Sequence, residues 1–501
     1  MRSPGCILRK CVFPALLLSL TALVSAGDLR LITAVKDRDR DVVRGLLKQQ
    51  IDVNATQGDG TTALHWAGYR DDLDTADILL RAGAKIDAAN DLGITPLYLA
   101  SANGSAGMIK RLLDAGANPN ALPPTGVSPL MLASRTGSAE GARALLAHKA
   151  WVNAHENAHD QTALMWAVAQ GYTDVVRVLL DHGADVNARS RTNQLLMVRE
   201  VSAARQSCPG ANPSAPCVNS DIGLTGGFTP ILFAARQGSV ASAKLLVAAG
   251  ANVNDVAPDG NSVLIVAAHA GHAELAEYLL DKDANTNASG PGYTALHTAI
   301  LRGDLGLVKT LLAHGANPNA RLTKGTRVRR TAQDLTLQRT IEGATPLFLA
   351  AKYMELPMLR LLLASGADPK LNTNDGTTAL MAAAGIGWAS LEDRRAVTYS
   401  IGTAVPQDED DVRQAATILL DLGLDVNGSN ANGDTALHGA VSKGYDSVVR
   451  LFVEKGAKLD ARNKRGRTPL SLTAVTREGA TNGEKDLKQT AEVLRALGAK
   501  E

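Results

Sequence analysis

The sequence has few aromatic residues, little net charge and no long apolar run beyond Ala26. Phe, Trp and Tyr make up 3% of the 501 residues, and 52 basic side chains nearly balance 50 acidic ones. A hydrophobic content of 45% excludes an intrinsically disordered chain. No later stretch approaches the roughly 18 apolar residues of a transmembrane helix. At this length, few aromatics and 46 glycines favour an elongated repeat array over a single globular core.

Segment 1–26 is typical of a cleaved signal peptide. Three basic residues precede the apolar run 12–24, and small residues up to Ala26 offer a cleavage site. We therefore expect a periplasmic or secreted protein whose mature chain starts at Gly27. Cys6 and Cys11 lie before or at the edge of the apolar run, so neither is expected to carry a lipid anchor. The mature chain has one more acidic than basic side chain, so its net charge indicates no partner.

The mature chain contains two cysteines, Cys208 and Cys217, in a short segment rich in proline. An oxidising compartment favours a disulfide bond between them, and two free thiols are the alternative. A metal site is disfavoured because no histidine lies near this pair.

The strongest feature is an internal repeat with a period of about 33 residues. Segments that resemble Thr62-Ala63-Leu64-His65 place the same Thr or Ser at positions 62, 95, 128, 162, 229, 262, 294, 345, 378, 435 and 468. Most of these intervals are close to the period, whereas the intervals 162–229, 294–345 and 378–435 are much longer and indicate insertions. Together with a degenerate opening segment, the chain has about twelve units.

This spacing divides the chain into a repeat body with a capping unit at each end. The predicted boundaries are a signal peptide at 1–26, an N-terminal capping unit at 27–59, repeats at 60–465 and a C-terminal capping unit at 466–501. The predicted insertions lie near 190–226, 321–342 and 387–411.

Each unit has the chemistry of two short helices and a turn. Thr95 can cap a helix N-terminus, and Pro96 suits the first helical position because its missing N–H would have no partner there. Leu112 and Leu113 supply the apolar face of a second helix, and Gly116 can end that helix in the left-handed region. An Asp-Gly turn before the next cap favours a β-hairpin.

Over residues 28–501 the sequence resembles the ankyrin repeat. The resemblance is carried by four elements that recur with this period: Gly-x-Thr-Pro-Leu-x-x-Ala, paired leucines, Gly-Ala and Asp-Val-Asn. With its signal peptide, the chain is similar to exported bacterial ankyrin-repeat proteins. The resemblance implies an all-α solenoid of about twelve helix-turn-helix units with short β-hairpin fingers. It also implies that the first helices line a concave face that binds a partner.

Four Asn-x-Ser/Thr patterns bear on the compartment, at Asn54, Asn103, Asn287 and Asn427. Three of these asparagines occupy the last position of the Asp-Val-Asn motif, where a sugar would interfere with stacking. We therefore expect a bacterial periplasm or exterior in preference to a eukaryotic secretory route.

The residues that could support catalysis fit the repeat better than an active site. Segment 155–159 reads His-Glu-Asn-Ala-His, which matches a zinc-protease pattern that requires a helix, but here it falls in a finger. His65, His297 and His438 follow the Thr-x-Leu cap and are expected to be structural. The sequence contains no phosphate loop, nucleotide fingerprint or nucleophile elbow. We expect no enzyme, no catalytic residue, no metal site and no cofactor.

The candidate partner-binding residues lie mainly seven and eight positions after each cap, where the first helix ends. Basic residues occur there in six of eleven units, and acidic residues in none. A preference of helix C-termini for cations, about 0.3–1 kcal/mol each, is the structural alternative. The candidates are Tyr69, Arg70, Asn103, Arg135, Gln170, Arg236, Gln237, Arg302, Lys352, Tyr353 and Lys443, together with Arg327, Arg329 and Arg330 of the second insertion.

These observations favour a non-enzymatic scaffold that binds another protein, of acidic character, along the concave face and the finger insertions. We expect a monomer with no nucleic-acid partner and no membrane insertion. Two alternatives remain open: binding of an anionic glycan, and a metal-dependent hydrolase hidden in an insertion. The second is disfavoured because each insertion is shorter than the roughly 40 residues that an independent domain needs.

Overall fold

The fold was obtained as a computed structural model that describes residues 29–200, 218–325, 341–386, 408–474 and 487–500. The predictions for the signal peptide, for Cys208 and Cys217, and for Arg327, Arg329 and Arg330 lie outside these ranges. Within them the chain forms 24 helices in twelve pairs and one two-stranded sheet, which confirms the predicted all-α solenoid.

The first helix of each pair is four to eight residues long. The first helices are α1 (Arg30–Lys36), α3 (Ala63–Arg70), α5 (Pro96–Ala102), α7 (Pro129–Arg135), α9 (Ala163–Gln170), α11 (Pro230–Gln237), α13 (Val263–Ala270), α15 (Ala295–Arg302), α17 (Pro346–Lys352), α19 (Ala379–Ala383), α21 (Ala436–Lys443) and α23 (Pro469–Leu472).

The second helix of each pair is eight or nine residues long, except in the tenth unit, where it has thirteen. The second helices are α2 (Arg40–Lys48), α4 (Leu73–Arg81), α6 (Ala106–Asp114), α8 (Ala139–Ala147), α10 (Thr173–Asp181), α12 (Val240–Ala248), α14 (Ala273–Leu280), α16 (Leu305–Ala313), α18 (Leu356–Ala364), α20 (Glu409–Asp421), α22 (Asp446–Glu454) and α24 (Lys488–Ala496).

The helix ends follow the predicted local chemistry. The Thr95 hydroxyl accepts a hydrogen bond from the Tyr98 N–H at 3.2 Å, and Pro96 occupies the first helical position of α5. After the second helix α6, Gly116 has φ of +99°, a value that favours glycine. In this unit the threonine cap therefore begins the first helix, and the glycine ends the second.

Neighbouring units pack through small residues on the first helices. The helix α3 contacts α4 of its own unit and α1 and α5 of the units on either side. A side-chain carbon added at Gly68 in α3 would lie 2.9 Å from the Pro96 carbonyl oxygen, so only glycine permits this approach. Leu79 of α4 and Leu112 of α6 are fully buried in the continuous core. Each unit therefore buries its apolar face against the next.

Asparagine side chains link successive units on the other side of the core. Asn287 donates from Nδ2 to the Gly315 carbonyl at 3.0 Å and accepts from the Asn317 N–H at 2.8 Å. Asn54 and Asn427 make the same two bonds to the units that follow them. The predicted structural role of these three asparagines is confirmed. Because both ends of each amide are engaged, a sugar on Nδ2 would break the link.

The first insertion extends one finger into a long hairpin. Strand β1 (Thr192–Glu200) pairs antiparallel with β2 (Val218–Gly226), with Thr192 opposite Gly226. This sheet is the one feature of the described residues that departs from short fingers and helices. In four other fingers of the described ranges, an isolated antiparallel bridge such as Thr56 to Thr62 replaces full strands.

Side chains clamp the hairpin to the solenoid. Arg189 donates from Nη1 to the Gly227 carbonyl at 2.9 Å and forms an ion pair with the largely buried Asp255. The Thr229 hydroxyl donates to the other oxygen of Asp255 at 2.6 Å. The base of the hairpin is therefore tied both to the cap of α11 and to the following finger.

In the described ranges, every helix is too short or too polar to cross a lipid bilayer.

Candidate partner-binding surface

Most of the predicted partner-binding residues lie exposed at the ends of the first helices. Tyr69 is 53% exposed. The other exposed candidates are Arg70, Asn103, Arg135, Gln170, Arg236, Gln237 and Arg302. We call these eight residues, together with Trp66 and Trp166 described below, the first-helix surface.

Hydrogen bonds join the ends of the first helices in successive units. The Asn103 side-chain amide donates to the Tyr69 carbonyl of the preceding unit at 2.6 Å. In the eighth unit Arg302 makes the equivalent contact, because its Nη1 donates to the carbonyl of His269 in the preceding unit at 2.7 Å. A position that recurs once in each repeat of the sequence therefore forms a row along the solenoid.

Three candidates near the C-terminal end of the row behave differently. Lys352 is only 3% exposed, so its predicted place on an accessible basic stripe is wrong. Every residue of α17 from Pro346 to Lys352 is buried, so the last residue of this helix is enclosed with the rest. Tyr353 and Lys443 are half-buried, and the aliphatic stem of Lys443 lies over Gly385.

Aromatic side chains that the sequence analysis missed lie beside the exposed bases. The Lys36 ammonium is 4.3 Å from the ring centroid of Trp66, which also packs edge-on against Tyr69 at 5.8 Å. The Arg135 guanidinium is 5.3 Å from the Trp166 ring. Such cation–aromatic contacts stabilise exposed sites by about 0.5–1 kcal/mol.

The two tryptophans occupy the same place in their units. Each follows its capping threonine by four residues, and each indole N–H donates to a glutamine in the finger at 2.8 Å, to Gln57 from Trp66 and to Gln161 from Trp166. Phe233 occupies the same position in the sixth unit. In a sequence with 3% aromatics, their recurrence four residues after the cap was a signal that could have identified them.

A third cation–aromatic group lies at the first insertion. The Arg236 guanidinium is 5.0 Å from the Phe233 ring and 5.6 Å from the Phe228 ring, and the two rings pack edge to face. Large aromatic side chains and arginines are the residues that most often dominate binding energy at protein interfaces. The first-helix surface concentrates both kinds in its N-terminal half.

The charges of the first-helix surface differ from those of the second helices. Across the described ranges, Arg70, Arg135 and Arg302 form no ion pair with a carboxylate. Several bases of the second helices do so. These pairs include Arg40 with Asp72 and Asp74, Arg111 with Asp77, and Lys110 with Asp114. The first-helix surface is therefore positively charged, whereas the second-helix surface is partly neutralised.

The zinc-protease pattern at 155–159 forms the tip of a finger, not a helix. Glu156 is buried, and its carboxylate accepts backbone N–H bonds from Ala158, His159 and Gln161 at 2.6 to 3.0 Å. His155 lies beside Asp160 instead of sharing a face with His159. A carboxylate that holds the turn together in this way is not placed to act as a base toward a water molecule.

The histidines after the caps hold adjacent units together. In the second unit the Thr62 N–H donates to Nδ1 of His65 at 3.1 Å, so the proton is on Nε2, which donates to the Ile94 carbonyl at 2.8 Å. His297 and His438 make corresponding contacts. Burial lowers the pKa of His65, and it lowers the pKa of His297 to about 4. Their predicted structural role is confirmed.

Comparison with known families identifies the repeats directly. A model of three ankyrin repeats matches residues 31–123, 108–190, 231–321 and 404–485, and a single ankyrin-repeat model matches residues 342–374.

Curated proteins with similar repeats include three from animals. The nuclear factor NF-kappa-B p105 subunit of Gallus gallus is 34% identical over 151 residues, or 29% of this chain and 14% of that protein. Ankyrin repeat and SOCS box protein 16 of Homo sapiens is 27% identical over 242 residues, or 45% of this chain and 49% of that protein. Ankyrin repeat and KH domain-containing protein mask-1 of Caenorhabditis elegans is 33% identical over 269 residues, or 50% of this chain and 10% of that protein. This chain matches less than half the length of each of these relatives.

Proposed function

This chain belongs to the ankyrin-repeat family, and we propose that it is a non-enzymatic scaffold that binds another protein along the first-helix surface. Repeats of this family support protein–protein interaction, and a solenoid offers an extended surface for it. The observation that carries the proposal is the row of exposed bases, Arg70, Arg135, Arg236 and Arg302, interleaved with tryptophans and phenylalanines.

The charge of this row supports an acidic partner. Helix C-termini favour cations, but the same preference applies to the ends of the second helices, where Arg111 and Lys455 are paired with carboxylates. On the first-helix surface, Arg135 instead contacts an aromatic ring and Arg302 a backbone carbonyl. A partner with complementary negative charge would associate faster because of electrostatic steering.

Site-specific crosslinking in the native cell tests the binding surface. A photo-reactive residue at Gln170, at the end of α9, is compared with the same residue at Arg177, which is exposed on α10 of the same unit. We expect a discrete protein to be captured at Gln170 and not at Arg177. Equal capture at both positions would contradict a defined binding face.

The captured partner then allows a test of charge. We expect Arg135→Ala with Arg236→Ala to slow association, and high salt to slow it for the unmodified protein. The control is Arg177→Ala with Arg360→Ala, two exposed bases on second helices. If neither salt nor the first pair slows association, the partner is not acidic. Salt-sensitive binding of an anionic polysaccharide without protein capture would favour the glycan alternative.

Export is proposed on the signal-peptide pattern of residues 1–26. N-terminal sequencing of the protein from its native cell should show a mature chain that begins at Gly27. An intact N-terminal segment in the cytoplasmic fraction would contradict export.

A further inference from the structure

A cleft of about 210 Å³ opens at the base of the β1–β2 hairpin. It lies between the finger that precedes α9 and the finger that precedes α13, and Arg236 of the first-helix surface forms part of its wall. Its other principal walls are Gln161, Asn193, Leu224, Phe228 and Asp259. Small-molecule sites usually measure about 300–1,000 Å³, so this cleft suits a single side chain from a partner.

Hydrogen bonds hold the cleft walls in place. The Ser190 N–H donates to the Phe228 carbonyl at 3.0 Å, and the Ser190 hydroxyl accepts from the Phe228 N–H at 3.0 Å. Arg191 reaches the adjoining finger, donating to both oxygens of Asp160 at 3.0 and 2.8 Å. Arg189 pairs with Asp255 of the following finger. Because the hairpin is joined to both neighbouring fingers, the cleft is formed before any ligand arrives, which lowers the entropic cost of binding.

The polar groups of the cleft are mainly donors. The Oε1 atom of Gln161 accepts from the Trp166 indole, so Nε2 is the group that this side chain presents as a donor. Asn193 is exposed and contributes a second amide, and Arg236 contributes a guanidinium. The carboxylate of Asp259 already accepts from the backbone N–H and the side-chain amide of Asn261 at 3.1 and 2.9 Å.

An apolar wall lies beside these donors. Phe228 and Leu224 are half-buried, and the Phe228 ring packs against Phe233 beneath Arg236. A short aliphatic stem could cover this wall while a charged end group reaches the guanidinium. A lysine would be repelled by Arg236, and a neutral amide would forgo the charge-assisted bond.

We propose that this cleft binds a glutamate side chain of the partner, with the methylene groups on Phe228 and the carboxylate on Arg236 and the Asn193 amide. This rests on the proposed function, because Arg236 belongs both to the cleft and to the surface on which the partner lies. The first insertion thus adds a specific anchor to a face that otherwise attracts acidic partners by charge alone.

Twelve-residue peptides of Gly and Ser, acetylated and amidated, test the cleft on the full-length protein. Three probes carry Glu-Leu-Glu, Gln-Leu-Gln or Glu-Gly-Glu at the centre, and fluorescence anisotropy reports their affinities. We expect Glu-Leu-Glu to bind about tenfold more tightly than Gln-Leu-Gln, and Glu-Gly-Glu to bind about as tightly as Glu-Leu-Glu, because the cleft accepts one glutamate side chain. A fourth probe with a free C-terminal carboxylate and no glutamate should bind no better than the Gln-Leu-Gln peptide.

Two matched double variants separate the cleft from the general positive charge. Arg236→Met with Asn193→Ala removes the proposed carboxylate donors and keeps an aliphatic cover on the phenylalanines. Arg302→Met with Gln237→Ala removes the same charge and one amide from the first-helix surface outside the cleft. We expect the first pair to abolish the preference for Glu-Leu-Glu and the second pair to preserve it.

Equal losses in the two variants, or no preference among the probes, would overturn the cleft proposal. If the protein captured at Gln170 binds the cleft variant as tightly as the control variant, the cleft is likewise wrong while the scaffold function stands. If the peptides discriminate as expected but no protein is captured at Gln170, the cleft is supported and the scaffold function fails.

Discussion

The first and second helices of each unit use their basic side chains differently. On the second helices, Arg40 pairs with Asp72 of the following unit and Arg111 pairs with Asp77 of the preceding unit, so the bases connect one unit to the next. On the first helices, Arg135 lies over Trp166 and Arg302 reaches a backbone carbonyl. The two second-helix cations are neutralised by carboxylates, whereas Arg135 and Arg302 have no carboxylate partner among the described residues and can attract an acidic ligand.

The largest expected effect concerns a buried histidine of a first helix. His297→Ala should lower the free energy of unfolding by about 2–4 kcal/mol, because it leaves a cavity and orphans the Thr294 N–H that donates to Nδ1. Urea unfolding followed by circular dichroism measures the loss. The control is His148→Ala at the end of α8, where the side chain is partly exposed and the loss should stay below about 0.5 kcal/mol. Equal losses of unfolding free energy in the two variants would show that the buried His297 stabilises the fold no more than the partly exposed His148 does.

The same residue should make stability depend on pH. Burial lowers the pKa of His297 from 6.5 to about 4, so between these values the unfolded chain binds a proton that the folded chain does not. Stability therefore falls as pH falls from 6.5 towards 4, by about 3 kcal/mol at about 1.36 kcal/mol per pKa unit. The free energy of unfolding is measured at neutral and at acid pH. The decrease between the two pH values should be smaller for His297→Ala than for the unmodified protein. Identical pH profiles would exclude His297 as the source.

A smaller effect is expected for partner binding at a tryptophan. Trp166→Leu should lower the affinity for the captured partner about tenfold, or by about 1.4 kcal/mol of binding free energy. The substitution removes a large aromatic side chain from the surface and the ring under Arg135. Isothermal titration calorimetry measures the affinity. Trp151→Leu is the control, since Trp151 is 60% exposed but lies in the loop after the second helix α8 and outside the first-helix surface. If the two variants bind equally, Trp166 is not an anchor.

The smallest effect is expected on the second helices. Arg111→Ala removes an ion pair between α6 and α4 and should cost about 0.2–1 kcal/mol of unfolding free energy at low salt, and less at high salt. Partner affinity should not change. A loss of affinity similar to that of Arg135→Ala would show that binding extends over both surfaces.

The features that the sequence predicted correctly depend on neighbouring residues in the chain. Thr95 and Pro96 begin a helix because the cap and the fixed φ act within one turn. Asn287 and His65 bond to the next unit, but the regular period of the repeat places that unit at a fixed distance. Local chemistry and the repeat together were therefore sufficient for the fold.

The features that were missed depend on the packing of a particular unit. Lys352 occupies the same repeat position as exposed Arg135, seven residues after the cap, yet it is buried because all of α17 is enclosed. The cation–aromatic pair of Arg135 and Trp166 joins two units, so neither residue indicates it alone. The cleft needs the β1–β2 hairpin to lie against two fingers, and such an arrangement has no signature in the repeat pattern.

The asparagine links explain how the chain can be lengthened without disturbing the solenoid. Asn319 binds the Gly366 carbonyl at 3.0 Å and the Asp368 N–H at 2.7 Å, across 47 and 49 residues of sequence. Asn287 makes the same bonds at 3.0 and 2.8 Å across only 28 and 30 residues. The spacing between units is thus independent of the length of the connecting chain, and longer loops add little entropic cost. For an engineer, the second insertion marks a point where a reporter domain can be grafted while the rise of the solenoid stays constant.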